Sequence, residues 1–135
     1  MIFIVNSMDR VLFSRKSDNW ATPRSFLIER GFVGWYDPCP LGFNGDVADD
    51  GLKHSWFGKV FVNPPYSEIR LWIEKAIEQS EHCERIVLLV PARTDTRWFH
   101  DLVYCRYTIV FLRGRLKFGD GKNSAPFPSM LVFIK

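Results

Sequence analysis

The chain has 135 residues and a net charge of +3, with 47% apolar and 24% charged residues, ordinary values for one domain with a genuine core. No apolar run approaches the roughly 18 residues of a membrane span, and Met1–Val5 is too short and lacks the basic lead of a signal peptide. Cys39, Cys83 and Cys105 are odd in number and widely spaced, so they form neither a zinc pattern nor a disulfide framework, and a reducing cytosol is the natural reading. His54, His82 and His100 lack metal-ligand spacing, so no metal is expected.

Met1–Val5 and Val11–Ser14 read as the arms of a small hairpin around Asn6-Ser7, and residues 1–16 as an extension of a single 1–135 domain. Thr22-Pro23 opens a helix, with threonine as the cap and proline at the first helical position. Gly31 stops it. Val33–Tyr36 reads as a strand ending at Asp37-Pro38-Cys39-Pro40. A loop of about twenty residues follows, rich in glycine and aspartate, and loops of that length tend to be functional. Lys59–Asn63 is the next strand. Ser67 caps a helix whose Ile69, Trp72, Ile73, Ala76 and Ile77 share one face. Arg85–Val90 is nearly continuous apolar sequence, as in a central parallel strand. A helix is expected from about Asp95 to Cys105, burying Trp98, Phe99, Leu102 and Val103. Tyr107–Leu112 reads as a strand, and Arg115–Phe118 and Ser129–Ile134 as arms of a hairpin. This order predicts an α/β sheet, mostly parallel, with a C-terminal antiparallel hairpin. The ends of three strands, Asp37-Pro38-Cys39, Asn63-Pro64-Pro65-Tyr66 and Pro91-Ala92-Arg93, should converge on one edge, where open α/β folds bind ligands.

Asn63-Pro64-Pro65-Tyr66 carries the most chemistry. Asn63 offers a carbonyl acceptor and an amide donor. The two prolines have no backbone N–H and hold their neighbours extended. The result is a stiff loop with adjacent acceptors and an aromatic ring. Such a loop suits an exocyclic amine: its two N–H bonds go to the Asn63 side-chain oxygen and the Pro64 carbonyl. Tyr66 would stack on the attached heterocycle, worth about 1–3 kcal/mol per base. The competing reading is a rigid turn with Tyr66 as a core aromatic. Arg93, Arg97, Arg106, Arg113, Arg115, Lys117 and Lys122 make the second half basic, either a phosphate-facing surface or a solvated rim.

From about Ser17 to Ile134 the chain resembles the phage-type DNA N6-adenine methyltransferases, the Dam-like family. The landmarks, in order, are Asp18-Asn19-Trp20-Ala21-Thr22-Pro23, Asp37-Pro38-Cys39, Asp50-Gly51-Leu52, Asn63-Pro64-Pro65-Tyr66, the run from Pro91 to His100, Gly114–Phe118 and Ala125–Ser129. The resemblance implies a compact Rossmann-like sheet, S-adenosylmethionine as methyl donor, DNA as partner, and a cytoplasmic site in a bacterial host. It places Trp20, Thr22 and Pro23 over the cofactor, Asp37, Pro38 and Cys39 at its methionine part, and Asp50 near its ribose or adenine. Asn63, Pro64, Pro65 and Tyr66 would form the catalytic loop, with Asn63 also reaching the cofactor, and Arg93, Arg97, Arg115 and Lys117 would contact phosphates.

Two features depart from the pattern. The usual glycine-rich cofactor loop is not seen, leaving Gly42 and Gly45 in its place, and residues 38–57 are too few for two strand–helix units. Asp46 and Asp49 compete with Asp50, against a solvated acidic loop. The other readings are methylation of a different planar amine, on RNA adenine or protein glutamine, and a noncatalytic nucleic-acid-binding remnant. Neither a DNA target sequence nor an oligomeric state is readable.

Overall fold

The computed structural model describes residues 21–40, 51–118 and 124–135. The expected hairpin over 1–14 lies outside them.

Helix α1 spans Arg24–Arg30 and ends as expected at Gly31, whose φ of 78° is the left-handed value glycine tolerates. Gly31 N donates to Ile28 O and Phe32 N to Leu27 O, the paired bonds of a Schellman end. The chain then reverses, and Phe32 stacks on Phe61 at 4.8 Å. Gly34, at φ 85°, breaks the extended run expected over Val33–Tyr36. What remains of that strand is one bridge, in which Tyr36 N donates to Lys59 O (2.8 Å) and Tyr36 O accepts from Phe61 N (3.0 Å).

Strand β1, Gly58–Val62, leads through a 3-10 turn at Tyr66–Glu68 into helix α2, Ile69–Gln79, and then β2, Cys83–Pro91, which pairs parallel with β1. Helix α2 buries Ile69, Trp72, Ile73 and Ala76, the face its spacing requires. The cap position is Glu68 rather than Ser67, and Glu68 makes no side-chain capping bond. The helix expected over 95–105 is mostly a wide turn, Phe99–Val103, closed by Tyr104 N on Phe99 O five residues back. Phe99 and Val103 are buried, while Trp98 and Leu102 are half-buried.

Strands β3, Thr108–Phe111, and β4, Ser129–Phe133, correct the expected hairpin. Arg115–Phe118 is not a strand. Instead β4 inserts between β2 and β3, antiparallel to both, giving the order β1-β2-β4-β3. The sequence explains the exchange: Ser129–Val132 is buried on both faces, as an interior strand must be, whereas Arg115–Phe118 alternates charged and apolar residues. Among the described residues the sheet is therefore mixed, with one parallel and two antiparallel strand pairings besides the parallel Tyr36 bridge.

Both faces are covered. Ile86, Leu88 and Val90 point to the layer holding α2, with Trp56, Trp72 and Phe99. Val87, Leu89 and Leu131 point to the layer holding α1, with Phe26, Phe32, Phe61 and Phe127. Gln79 is a buried polar member of the first layer, and its Oε1 accepts from Trp56 N at 2.8 Å. Gln79→Ala should strand that buried amide and cost about 1–3 kcal/mol in urea unfolding. A midpoint equal to that of the parent protein would show that the bond contributes nothing.

Candidate active site

Tyr36, β1 and β2 run parallel side by side, so their carboxyl ends leave the sheet at the same edge. The three predicted segments, Asp37–Cys39, Asn63–Tyr66 and Pro91–Arg93, meet there. Strand β3 has the same direction as β2, because both oppose β4, so the segment bearing Arg115 and Lys117 also starts from this edge.

Asn63 follows the fully buried Val62. Its Nδ2 donates to Thr22 Oγ1 at 3.0 Å, across 41 residues of sequence. This corrects the expected role of Thr22. The cap position of α1 is Pro23, with no side-chain capping bond. The Pro23 carbonyl accepts from Phe26 N and Leu27 N, and the threonine hydroxyl turns to the Asn63 loop. Pro64 is buried and Pro65 half-buried with an extended backbone, φ −59° and ψ 133°. Pro65 O accepts from Glu68 N, fixing the exit from the loop.

Tyr66 is half-buried between the two layers. Its ring meets Phe127 edge-on at 5.0 Å. Burial pushes its phenol far above the ordinary tyrosine value, and the nearby Arg93 charge offsets only part of that. The hydroxyl therefore stays protonated at physiological pH. Phe127 is a neighbour of the candidate loop that the sequence reading did not single out. The signal was present in Ala125-Pro126-Phe127-Pro128-Ser129, whose prolines favour a fixed turn.

On the other side, Asp37 Oδ1 accepts from Cys39 N at 2.8 Å, a local Asx turn. Asp37 has surface open to solvent, yet the protein around its carboxyl raises its pKa, against the lowering by the Cys39 amide. Pro38 is buried under Gly51. A Cβ on Gly51 would overlap the Pro38 carbonyl oxygen and lie 2.7 Å from Pro38 Cβ. Gly51 O in turn accepts from Trp56 Nε1 at 2.8 Å, and Trp56 packs nearly parallel to Trp72 at 6.1 Å. Tyr36 stacks on Phe57 at 4.7 Å, and Phe57 is 64% exposed. The predicted cofactor residues Trp20 and Asp50, together with Asp46, Asp49, Gly42 and Gly45, lie outside the described residues.

Arg93 is held by its backbone: Arg93 N donates to Pro91 O at 2.8 Å, and Ala92 N to Pro128 O at 2.9 Å. Thr96, rather than Thr94 or Asp95, starts the following turn. Its hydroxyl donates to Arg93 O and accepts from Phe99 N. His100 Nε2 lies 2.7 Å from Thr94 O, which ties down the same loop. Arg93, Arg97, Arg115 and Lys117 are all exposed. Arg115 is not purely a surface charge, because its Nη1 donates to Ala125 O at 3.3 Å and Ala125 N donates to Leu116 O at 2.8 Å. Among the described residues, no group of three or more His, Cys, Asp or Glu side chains is placed to hold a metal ion.

A family model described as DNA N-6-adenine-methyltransferase (Dam) matches residues 42–135, from the loop before β1 through β4. The chain belongs to this family. The DNA N-6-adenine-methyltransferase of Escherichia phage T1 is 31% identical over 131 residues, covering 87% of this chain and 54% of that protein. The protein of the same name from Haemophilus phage HP1 is 29% identical over 142 residues, covering 90% of this chain and 82% of its own length. The chain thus spans about half the length of the T1 relative. No solved structure matches. The family match contains Asn63–Tyr66 and Pro91–Arg93, two of the three segments that meet at the sheet edge, while Asp37–Cys39 lies before it.

The packing of Gly51 on Pro38 gives a direct test. Gly51→Ala should force Pro38 and Gly51 apart and destabilise the fold by about 1–3 kcal/mol, read by chemical denaturation. An unchanged midpoint would mean that the two loops do not pack in solution.

Proposed function

We propose that this chain transfers a methyl group from S-adenosylmethionine to the N6 amine of adenine in DNA, with Asn63, Pro64, Pro65 and Tyr66 as the catalytic loop. The observation that carries the reading is the held Asn63 amide at the carboxyl end of β1, followed by two prolines with no N–H to compete for acceptors. Family membership and the names of the phage relatives support the choice of base and of nucleic acid.

The chain's task is placement. Asn63 Oδ1 and the Pro64 carbonyl accept the two N6 hydrogens, which orients the nitrogen lone pair. The same acceptors stabilise the positive charge that grows on nitrogen as the new bond forms. Correct positioning of reactants can be worth roughly 7–11 kcal/mol. Tyr66 remains neutral and offers its ring as a stacking surface. No side-chain base is required, because a methylated ammonium loses its proton readily to solvent. A base paired within a duplex cannot reach this loop, so the target adenine is flipped out. Arg93, Arg97, Arg115 and Lys117 would hold the flanking phosphates.

When bound, the donor's sulfonium would supply an electrophilic methyl carbon and depart as a neutral thioether that keeps the electron pair of the broken carbon–sulfur bond. The Asp37–Cys39 turn, shaped by the Asp37–Cys39 bond and by close packing of the Gly51 backbone on Pro38, supports a role for this segment in holding the donor. Asp37, Pro38 and Cys39 would hold the methionine part, with Trp20, Pro23, Asp50 and Asn63 as further contacts. A cytoplasmic location follows from a DNA substrate and a cytosolic cofactor. No helix among the described residues is long and apolar enough to cross a membrane.

Asn63→Ala is the test. With labelled cofactor and adenine-containing DNA, transfer should fall at least roughly a hundredfold, the scale of losing an oriented transition-state partner, while cofactor affinity stays within a few-fold. Label transferred to protein or RNA but never to DNA would overturn the choice of substrate.

A further inference from the structure

We propose that Thr22 is the positioning residue that decides which end of the Asn63 amide meets the reacting amine. This inference rests on the methyl-transfer reading above and adds a role for Thr22 distinct from covering the cofactor.

The two ends of a primary amide have nearly the same shape and opposite chemistry: the oxygen accepts and the NH2 group donates. A target amine has hydrogens to give, so it needs the oxygen. Presented with the NH2 end, it would face donor against donor. An asparagine loop therefore requires something that recognises the nitrogen. In this structure Thr22 Oγ1 accepts from Asn63 Nδ2 at 3.0 Å, which leaves Oδ1 on the opposite side of the amide; a hydroxyl can also donate, so it selects the nitrogen while its own hydrogen is directed away from Asn63.

Two further observations show that the hydroxyl is committed to this task. Threonine before a helix normally caps it. Here α1 begins without a side-chain cap, and the hydroxyl is spent on Asn63 instead. The threonine is also mounted rigidly. Pro23 restricts its backbone to extended geometry. The Pro23 carbonyl heads α1, which is anchored in the second layer through Phe26. The acceptor is thus fixed by the fold on one side, and the Asn63 loop is stiffened by its prolines on the other.

The test compares Thr22→Val and Thr22→Ser in the parent protein and in an Asn63→Asp background, with circular dichroism to confirm folding. Thr22→Val should lower kcat roughly tenfold or more, as expected for one misdirected hydrogen bond, with the KM for S-adenosylmethionine nearly unchanged. Thr22→Ser, which keeps the hydroxyl, should recover most of the loss. A carboxylate has two equivalent oxygens and no wrong end, so the Thr22→Val penalty should shrink sharply in the Asn63→Asp background. A raised cofactor KM with normal kcat would instead make Thr22 a cofactor contact and overturn the proposal. An equal penalty in both backgrounds would do the same.

A second readout needs no turnover. In 15N NMR, the Asn63 side-chain NH2 signals, assigned by their loss in Asn63→Asp, should show slowed hydrogen exchange in the parent protein and in Thr22→Ser, but not in Thr22→Val. Equal exchange in all three would refute the anchor. A parent protein that methylates no DNA, with this exchange pattern intact, would refute the substrate reading and leave the anchor standing.

Discussion

One register organises this protein. Val60 is paired on one side with Tyr36, in an isolated parallel bridge, and on the other with Ile86 of β2, so all three stretches run the same way. Parallel pairing makes the chain leave each strand at the same edge. Asp37–Cys39, Asn63–Tyr66 and Pro91–Arg93 are far apart in sequence and become neighbours for that reason alone. A shift of one residue in β1 would turn Val60 and Val62 out of the α2 layer. It would also swing Asn63 away from Thr22. Burial of Val60, Val62, Ile86 and Leu88 therefore fixes the position of a polar side chain that contributes little to the core itself.

The site's two halves are built differently. The Asn63 half is stiffened covalently by two prolines and then pinned by contacts from distant segments: Thr22 on Asn63 and Phe127 on Tyr66. The Asp37 half is shaped by close backbone packing, with Gly51 against Pro38 and the Trp56 indole holding Gly51 from behind. Gln79 reaches from the end of α2 to the Trp56 amide, so the helix that crosses between β1 and β2 also supports the second half. The Pro91–Arg93 end joins these halves to β4 through the bond from Ala92 to Pro128.

Much of this was legible in the residues, and what was not has identifiable causes. Strong local signals worked: Gly31 ended α1, the apolar spacing of α2 marked its buried face, and Arg85–Val90 announced a central strand. Long-range pairing was not legible. Nothing local in Ser129–Ile134 says that it pairs with β2 as well as β3, because a strand buried on both faces reads alike beside any neighbour. Val33–Tyr36 looked extended until Gly34 took a left-handed φ, a freedom that glycine has and does not always use. Thr22-Pro23 looked like a helix start, and it is one, but the hydroxyl answers a partner 41 residues away. Phe127 and Gly51 were in recognised segments, yet their roles depend on which loops the sheet brings together. Tertiary packing names the residues that hold the motif.

The central claim is that the loop at the end of β1 presents acceptors to the N6 amine of adenine. Nucleoside mass spectrometry of DNA from a host with no adenine methylation of its own, after expression of this chain, tests that claim most directly. The account predicts N6-methyladenine, and none when Asn63 is replaced by alanine. DNA that carries no methylated adenine, despite folded protein in the cell, would contradict it.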